Sequence, residues 1–254
     1  MPSWNATQYL KFSEERAQPC RDLAARIDIA DLNRMIDLGC GPGNSTEVLA
    51  ERWPDAELTG VDSSADMIAK ARAAHPDWRW VIGDIGKWAS DTADTYDLVF
   101  SNAALQWLPD HGTVLPRLLR RARVLALQMP GNWNGPAHRA MRDVAKRFTF
   151  PREVREWFTH EAAFYYDILA PHAGRLDLWE TEYIHIVDNA ESIVEWYKGT
   201  GMRPFLEALD TDAERSCFTA AYLEAIRAGY DLRADGKVLF PFRRIFIVAL
   251  RRET

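Results

Sequence analysis

Short apolar runs alternate with helical stretches along the first half of the chain. Apolar residues at helical spacing over residues 9–27 predict an N-terminal helix that Pro19 breaks in the middle. Asn44 with Glu47 three residues later is an N-cap pattern, and Ser63 and Ser64 are expected to cap a further helix. Helices separate the predicted strands, so the pattern predicts βαβ units and a doubly wound parallel sheet. The strand-like runs are residues 35–38, 58–61, 78–82, 96–100 and 124–129.

The first strand ends at Asp37 and leads into a turn that contains Gly39, Gly41 and Gly43. Glycine allows positive φ and lets a ligand come into contact with the backbone. A dinucleotide-binding turn usually reads G-x-G-x-x-G, whereas here the third glycine comes early and Asn44 follows it. The turn alone therefore predicts an adenosyl ligand, without deciding which one.

Polar residues also follow the next three strands, namely Asp62, Asp84 and Asn102. Ligands of such sheets bind at the carboxyl ends of the strands. Asp62 follows the glycines at the distance where an acid accepts hydrogen bonds from both ribose hydroxyls. Each acid alone could equally cap the helix after it, but a polar residue at four successive strand ends favours a ligand site.

Beyond residue 130 the alternation is lost and mainly helical segments follow. Helices are expected from Pro136, after Pro151, Glu161 and Ser192, and over residues 211–228, where Thr211 and Glu214 form a capping-box pair. Two strand-like runs, residues 176–187 and 245–250, interrupt them. The helices between are expected to form a lid over the carboxyl edge of the sheet.

Composition narrows the class of protein. A length of 254 residues allows one large domain, or one domain with a substantial insertion. The net charge of −6 argues against nucleic acid as the main partner, because phosphate binding requires a basic face. Three cysteines without paired spacing indicate neither a disulfide framework nor a zinc site, so no metal is expected. No signal peptide or membrane-spanning run is recognisable, so we expect a cytoplasmic protein without a membrane partner.

The run Asp37-Leu38-Gly39-Cys40-Gly41-Pro42-Gly43 resembles the first motif of class I S-adenosylmethionine (SAM)-dependent methyltransferases. Asp62, Asp84 and Asn102 fall where that family has its ribose, adenine and fourth-strand residues. The resemblance implies a Rossmann-like sheet of seven strands with an antiparallel last strand, SAM as cofactor and S-adenosylhomocysteine as product. The cofactor-binding residues that it implies are Asp37, Gly39, Cys40, Gly41, Asn44, Asp62, Ser63, Met67, Asp84, Ile85, Asn102, Ala103 and Trp107.

This fold predicts three regions. Residues 1–131 form the SAM-binding core with an N-terminal cap helix. Residues 132–240 form a mainly helical lid and substrate region that contains one core strand, and residues 241–254 form the final core strand.

A narrower resemblance, to the trans-aconitate 2-methyltransferase family, extends over nearly the whole chain. It is carried by runs such as Tyr9-Leu10-Lys11-Phe12, Asn102-Ala103-Ala104-Leu105-Gln106-Trp107, Leu127-Gln128-Met129-Pro130 and Gly199-Thr200-Gly201-Met202-Arg203-Pro204-Phe205. That family methylates a carboxylate of trans-aconitate to a monomethyl ester. Binding such a tricarboxylate requires cations or dense hydrogen-bond donors.

The candidates for that task are Tyr9, Arg16, Gln106, Asn132, Trp133, Tyr165, Tyr166, Lys198, Arg203 and Arg244. Arg203 stands out because it lies between glycines and a proline. His185, between Ile184 and Ile186 on a predicted strand, is equally consistent with a structural histidine.

Two stretches depart from the pattern of that family. The Pro-Gly-Gly turn expected before the fifth strand is absent, and residues 117–123 run directly into Val124. The connection must therefore be shorter, or the helix must end without glycine. Asn132-Trp133-Asn134 replaces a more acidic run at the edge of the substrate pocket.

A carboxylate is already deprotonated at neutral pH, so methyl transfer to it needs no catalytic acid or base and depends on positioning and water exclusion. The alternatives are a methyltransferase for another small acid or metabolite, a non-catalytic SAM-binding protein and a nicotinamide-dependent oxidoreductase, which Asn44 disfavours. A nucleic-acid base methyltransferase is disfavoured by the charge and by the lack of an Asn-Pro-Pro-aromatic run. The sequence does not indicate an oligomeric state.

Overall fold

A computed structural model of the protein describes residues 13–29, 31–91, 93–155 and 159–252, with side chains from residue 17 onward. The strands are β1 (Arg34–Leu38), β2 (Glu57–Asp62), β3 (Arg79–Ile82), β4 (Tyr96–Asn102), β5 (Ala122–Pro130), β6 (Ala173–Val187) and β7 (Val238–Arg251). The helices are α1 (Ser13–Arg26), α2 (Asn44–Arg52), α3 (Ala65–Ala74), α4 (Ile85–Asp91), α5 (His111–Arg120), α6 (Pro136–Ala145), α7 (Ala162–Leu169), α8 (Ala190–Lys198), α9 (Arg203–Ala208) and α10 (Asp212–Gly229). A 3₁₀ turn covers Leu105–Trp107.

The seven strands form one sheet in the order β3-β2-β1-β4-β5-β7-β6. Strands β1 to β5 are parallel, and β7 lies antiparallel between β5 and β6. The predicted Rossmann-like fold with an antiparallel last strand is thus confirmed. The carboxyl ends of β1 to β4 lie at one edge, so the polar residues that follow these strands are neighbours in space.

Both faces of the sheet are covered, which explains why its strands read as nearly continuous apolar runs. Ile36 and Leu38 of β1 pack on the side of α5 and α7. Met35, one position along, points to the opposite face and packs with α1 and α2.

A third core belongs to the lid. Strand β5 ends at Pro130, opposite Arg244, whereas β7 starts at Val238 and pairs with β6 over residues 238–243, beyond the end of β5. Strands β6 and β7 therefore continue as a two-stranded ribbon past the carboxyl end of β5. Helices α6, α8, α9 and α10 pack on this ribbon around side chains such as Trp196 and Phe240. None of the helices in the described ranges has the length and apolar character that crossing a membrane requires.

Three local predictions are wrong. Pro19 does not break α1 but lies inside it, because the buried Cys20, Leu23 and Ala24 hold the helix against the sheet. Gly43, not Asn44, caps α2: its φ of 106° belongs to the left-handed region, and Glu47 instead contacts Nε2 of His75 at 2.7 Å.

No helix begins after Pro151 in the described residues up to Arg155. Tertiary contacts hold this segment instead, since the Arg152 guanidinium donates to the carbonyl of Leu209 at 3.1 Å and to the carboxylate of Asp210 at 2.8 Å. Of the two alternatives for the junction before β5, a shorter connection or a helix that ends without glycine, the structure has both: α5 ends at Arg120 without glycine and β5 begins at Ala122. Arg121 has helical backbone dihedrals and forms the C-cap of α5. Its N–H group donates to the carbonyl of Leu118 at 3.0 Å.

Candidate active site

A cleft of about 570 Å³ opens at the carboxyl edge of the sheet. One wall comes from the loops after β1, β2, β3 and β4, and the other from the segment around Arg152 and from α9. The lining residues on the sheet side are Gly39, Gly41, Pro42, Asp62, Ser63, Ser64, Met67, Asp84, Ile85, Asn102, Ala103, Ala104, Trp107 and Leu108. The lining residues on the lid side are Arg152, Glu153, Arg155, Arg203, Pro204, Glu207 and Ala208.

Asp37 supports the glycine turn from below. Its side chain is buried, and one carboxylate oxygen accepts hydrogen bonds from the hydroxyls of Ser45 at 2.6 Å and Thr46 at 2.7 Å. Burial raises the pKa of Asp37 to about 6, although both hydroxyl bonds act in the opposite direction. This carboxylate therefore joins β1 to the first turn of α2.

Asp62 presents a fixed carboxylate to the cleft. One oxygen accepts the backbone N–H of Gly41 at 3.0 Å and the other accepts that of Ser64 at 2.8 Å. Burial raises the pKa of this carboxyl, and the two backbone bonds oppose that shift. Each carboxylate oxygen has a second lone pair, so Asp62 can still accept hydrogen bonds from a ligand.

The end of β4 approaches the glycine turn closely. A Cβ built on Gly39 would lie 2.1 Å from the Cβ of Ala104, and Gly39 has a φ of 79°. Ala103 also has a positive φ, 55°, which is uncommon for a residue with a side chain. The Oδ1 atom of Asn102 is buried and lacks a hydrogen-bond partner among the described residues. A polar ligand in the cleft can satisfy that atom, so Asn102 fits a bound cofactor.

The lid-side wall carries cations. Arg203 pairs with Glu207 at 2.6 Å and Arg152 with Asp210 at 2.8 Å. Arg155 is exposed and forms no ion pair with any described residue. Asp62 and Asp84 thus face a wall that contains three guanidinium groups and two carboxylates, those of Glu153 and Glu207.

Known proteins similar to this chain identify its family. A family profile described as a methyltransferase domain matches residues 35–125. A trans-aconitate 2-methyltransferase from Azoarcus sp. (strain BH72) is 51% identical over 99% of this chain and 100% of its own length. One from Escherichia coli O157:H7 is 44% identical, with 100% of both chains covered. The chain belongs to the trans-aconitate 2-methyltransferase family.

Solved structures agree on the fold of this family member. YcgJ from Bacillus subtilis gives a TM-score of 0.57 at 18% identity, over 91% of this chain and 98% of that one. Phosphoethanolamine N-methyltransferase 2 of Haemonchus contortus, in complex with phosphomonomethylethanolamine and S-adenosylhomocysteine, gives 0.58 at 14% identity. That alignment covers 92% of this chain and 53% of the other. The protein is a SAM-dependent methyltransferase with a Rossmann-like fold.

Most of the cofactor residues expected from the sequence of this methyltransferase line the cleft. They are Gly39, Gly41, Asp62, Ser63, Met67, Asp84, Ile85, Asn102, Ala103 and Trp107. The remaining three lie outside the lining. Asp37 is below the turn, Cys40 is buried against Ile68, and Asn44 is the first residue of α2.

The expected substrate residues are more scattered. Arg203 lines the cleft, and Trp133 lines a small recess that shares Arg155 and Pro204 with it. Tyr166 is 56% exposed, and Lys198 pairs with Glu195 at 2.6 Å. Tyr9 lies outside the described residues, and the side chain of Arg16 is not described.

The other four expected substrate residues, Gln106, Asn132, Tyr165 and Arg244, are buried. Gln106 donates to the carbonyl of Ala103 at 2.7 Å, and Asn132 donates to the hydroxyl of Tyr197 at 2.8 Å. The Tyr165 hydroxyl lies 2.9 Å from Nδ1 of His111, within the core.

Sequence reasoning missed Arg152, Glu153 and Arg155. The alternation of charges after Pro151 gave no indication of a cleft, because only the packing of this segment beside α9 brings it there. In the described part of the chain no three metal-ligating side chains come together as a metal site.

Two alanine substitutions at glycines in the turn should differ in effect. Gly39→Ala should lower the free energy of unfolding by roughly 2–5 kcal/mol, since the new methyl group meets Ala104 at positive φ. Gly41→Ala also places alanine at positive φ, but its Cβ meets nothing within 4 Å, so only about 1 kcal/mol should be lost. Thermal unfolding of both variants measures this. Equal losses would contradict the proposed contact between the two loops.

Asp37 should make stability depend on pH. Its pKa is higher in the folded chain than in the unfolded chain, so its contribution is full below about pH 4 and is lost as the pH rises through about 6. Relative to Asp37→Asn, the wild type should lose on the order of 3 kcal/mol of unfolding free energy between these limits. Urea titrations at several pH values test this, with exposed Asp55→Asn as control. A difference that does not vary with pH would refute the buried carboxyl.

Proposed function

We propose that this protein transfers the methyl group of SAM to a carboxylate of trans-aconitate and releases the monomethyl ester. The name shared by its full-length relatives supports the acceptor. The observation on which the proposal chiefly depends is the difference in charge between the two sides of the cleft: the sheet side carries two acids and no cation, whereas the lid side carries three arginines and two glutamates. A cationic methyl donor and a polyanionic acceptor are attracted to opposite walls.

The sheet side would hold the cofactor. Asp62 would accept hydrogen bonds from the ribose hydroxyls, and Asp84 with Ile85 would contact the adenine. Asn102 and Ala103 would bind the methionine portion, which satisfies the buried Oδ1 of Asn102. The remaining contacts that we propose come from Gly39, Gly41, Ser63, Met67 and Trp107. Asp37, Cys40 and Asn44 would support the glycine turn from outside the lining.

The lid side would hold the acceptor. Arg155 and Arg203 would bind carboxylates through charge-assisted hydrogen bonds, together with Arg152. Trp133 in the adjoining recess would bound the acceptor on that side. Tyr9, Arg16, Gln106, Asn132, Tyr165, Tyr166, Lys198 and Arg244 complete the residues that we propose for substrate binding or its immediate support.

Methyl transfer to a carboxylate would require little of the protein beyond placing the cofactor and the acceptor next to each other. Bound SAM supplies an electrophilic methyl group on a sulfonium sulfur. The acceptor carboxylate is ionised at neutral pH, so no side chain has to remove a proton. The two walls would bring the carboxylate to the cofactor and exclude water, which lowers the barrier through proximity.

We also propose that the enzyme is cytoplasmic. Its cysteines are unpaired, with Cys217 exposed, as expected in a reducing compartment.

Turnover and binding test the function together. Purified protein with SAM and trans-aconitate should yield a monomethyl ester, identified by mass spectrometry. Asp62→Ala should weaken SAM binding roughly 10- to 100-fold in calorimetry, because charge-assisted hydrogen bonds are lost. Asp66→Ala, an exposed acid on α3, is the matched control and should bind SAM normally.

Arg155→Ala should raise the KM for trans-aconitate roughly tenfold and leave SAM affinity unchanged. Binding of NAD in place of SAM, or normal SAM binding without turnover on any acid, would contradict the proposed function.

A further inference from the structure

A buried chain of hydrogen bonds supports the cofactor wall from within the core. The side chains of His111, at the start of α5, and of Tyr165, on α7, are 1% and 0% exposed. Nδ1 of His111 lies 2.9 Å from the Tyr165 hydroxyl, and Nε2 lies 2.8 Å from the carbonyl oxygen of Leu105. The backbone N–H of His160 donates to the Tyr165 oxygen at 3.0 Å. The loop after β4, the start of α5 and the residues around α7 are thus joined by one buried network.

The partners of this network allow one arrangement of its protons. A carbonyl oxygen can only accept, so Nε2 of His111 carries a hydrogen and donates it to Leu105. In the neutral ring Nδ1 then accepts, and its donor is the Tyr165 hydroxyl. The sulfur of Met129, 4.0 Å from that hydroxyl, is a weaker acceptor than a ring nitrogen. Both ring nitrogens and the hydroxyl therefore have a partner of the right kind.

The surroundings of His111 keep its ring neutral. Burial lowers the pKa of His111, and it outweighs the bond to Leu105, which acts in the opposite direction. The neighbouring His160 lowers this pKa further, whereas Asp110 opposes the shift. Tyr165 also keeps its proton, because burial raises its pKa to about 12. The network is therefore uncharged at neutral pH, with its protons in fixed places.

The network holds a part of the cleft that has no other rigid support of its own kind in the loop. Leu105 opens the 3₁₀ turn Leu105–Trp107, and its carbonyl also accepts the N–H of Leu108 at 2.9 Å. Trp107 and Leu108 line the cleft on the cofactor side. The chain enters this turn through Ala103, whose positive φ is unfavourable for a residue with a side chain. Such a conformation persists only where surrounding contacts hold it, and His111 supplies one of them from behind the wall.

Packing alone does not require this network. Tyr165 belongs to a core cluster whose other buried members are apolar, among them Leu115, Leu118 and Leu169. Buried polar side chains are unfavourable unless their hydrogen bonds are made, so apolar residues of similar size would fill this space at less cost. A fully bonded polar network, however, rigidifies its members in a single arrangement. The gain from His111 and Tyr165 is therefore the position of the turn.

We propose that His111 is a positioning residue for methyl transfer, which holds the turn that carries Trp107 in place beside the bound cofactor through its Nε2 hydrogen. Tyr165 acts one step further back, because its hydroxyl selects the tautomer of His111 that can donate to Leu105. The proposal rests on the proposed function, since it requires SAM on the sheet side of the cleft. Neither side chain gives up or takes up a proton during the reaction.

The first test keeps or removes the hydrogen-bonding groups of His111. His111→Gln offers an amide NH₂ to Leu105 and an amide oxygen to Tyr165, so kcat and the Kd for SAM should stay within about threefold of wild type. His111→Leu offers neither group. Its kcat with trans-aconitate should fall roughly 10- to 100-fold, and its calorimetric Kd for SAM should rise roughly tenfold, because the turn is displaced. Wild-type kcat and Kd in His111→Leu, or equal losses in both variants, would overturn the proposal.

The second test separates position from stability. Tyr165→Phe and Tyr222→Phe each remove one buried hydroxyl, but that of Tyr222 bonds to the carbonyl of Ala137 at 3.3 Å in the core of the lid. Thermal unfolding measures the stability that each variant loses. Only Tyr165→Phe should lower kcat, roughly tenfold, while Tyr222→Phe stays within about twofold of wild type. Equal losses of kcat in the two variants would show a general effect of the lost hydroxyl and overturn the proposal.

The tautomer of His111 is measurable without turnover. Nitrogen-15 NMR of the wild-type protein should show His111 protonated at Nε2 and unprotonated at Nδ1, with its signals assigned by their loss in His111→Gln. A ring protonated at Nδ1 would overturn the proposal, and this measurement decides even if His111→Leu does not fold. Failure of the proposed function differs, since wild-type protein would then methylate no acid, whereas failure of the present proposal leaves wild-type turnover intact.

Discussion

The contact between the loops after β1 and β4 is the constraint on which the cleft depends. Gly39 lies so close to Ala104 that no side chain fits between them. This proximity holds the glycine turn over the end of β4, where Ala103 adopts a left-handed conformation. Asp37 and Asp62 then fix the turn from two sides, through hydroxyl groups of α2 and through the N–H of Gly41. Backbone packing, more than any single side chain, thus sets the shape of the cofactor wall.

The two walls of the cleft differ in their charged residues and in the part of the chain that supplies them. The cofactor wall is built from strand ends within the first half of the chain, whereas the cations come from the segment after α6 and from α9. Under the proposed function, the methyl donor would lie against the wall made by the ends of parallel strands, and the acceptor would lie against the wall made by the segments after β5.

The sequence predicted the sheet and its polar edge because both follow from local patterns. Apolar runs of strand length and the polar residues after them need no tertiary knowledge. The cap of α2 was mispredicted because Asn44 matches a cap pattern, while the positive φ required there selects Gly43. Pro19 stays within α1 because burial of neighbouring residues outweighs the lost hydrogen bond. Arg152 and Arg155 carry no local signal at all, since only the packing of distant segments brings them to the cleft.

The position of β7 in the sheet affects the order in which the chain can fold during its synthesis. This strand follows the other six strands in sequence, yet it lies inside the sheet, between β5 and β6. During synthesis one edge of β5 therefore stays unpaired until residues 244–250 emerge, and the β5–β7 pairing closes a loop of more than a hundred residues. The glycine turn and its acids can assemble early, but Arg244 donates to Gln128 only in that last step.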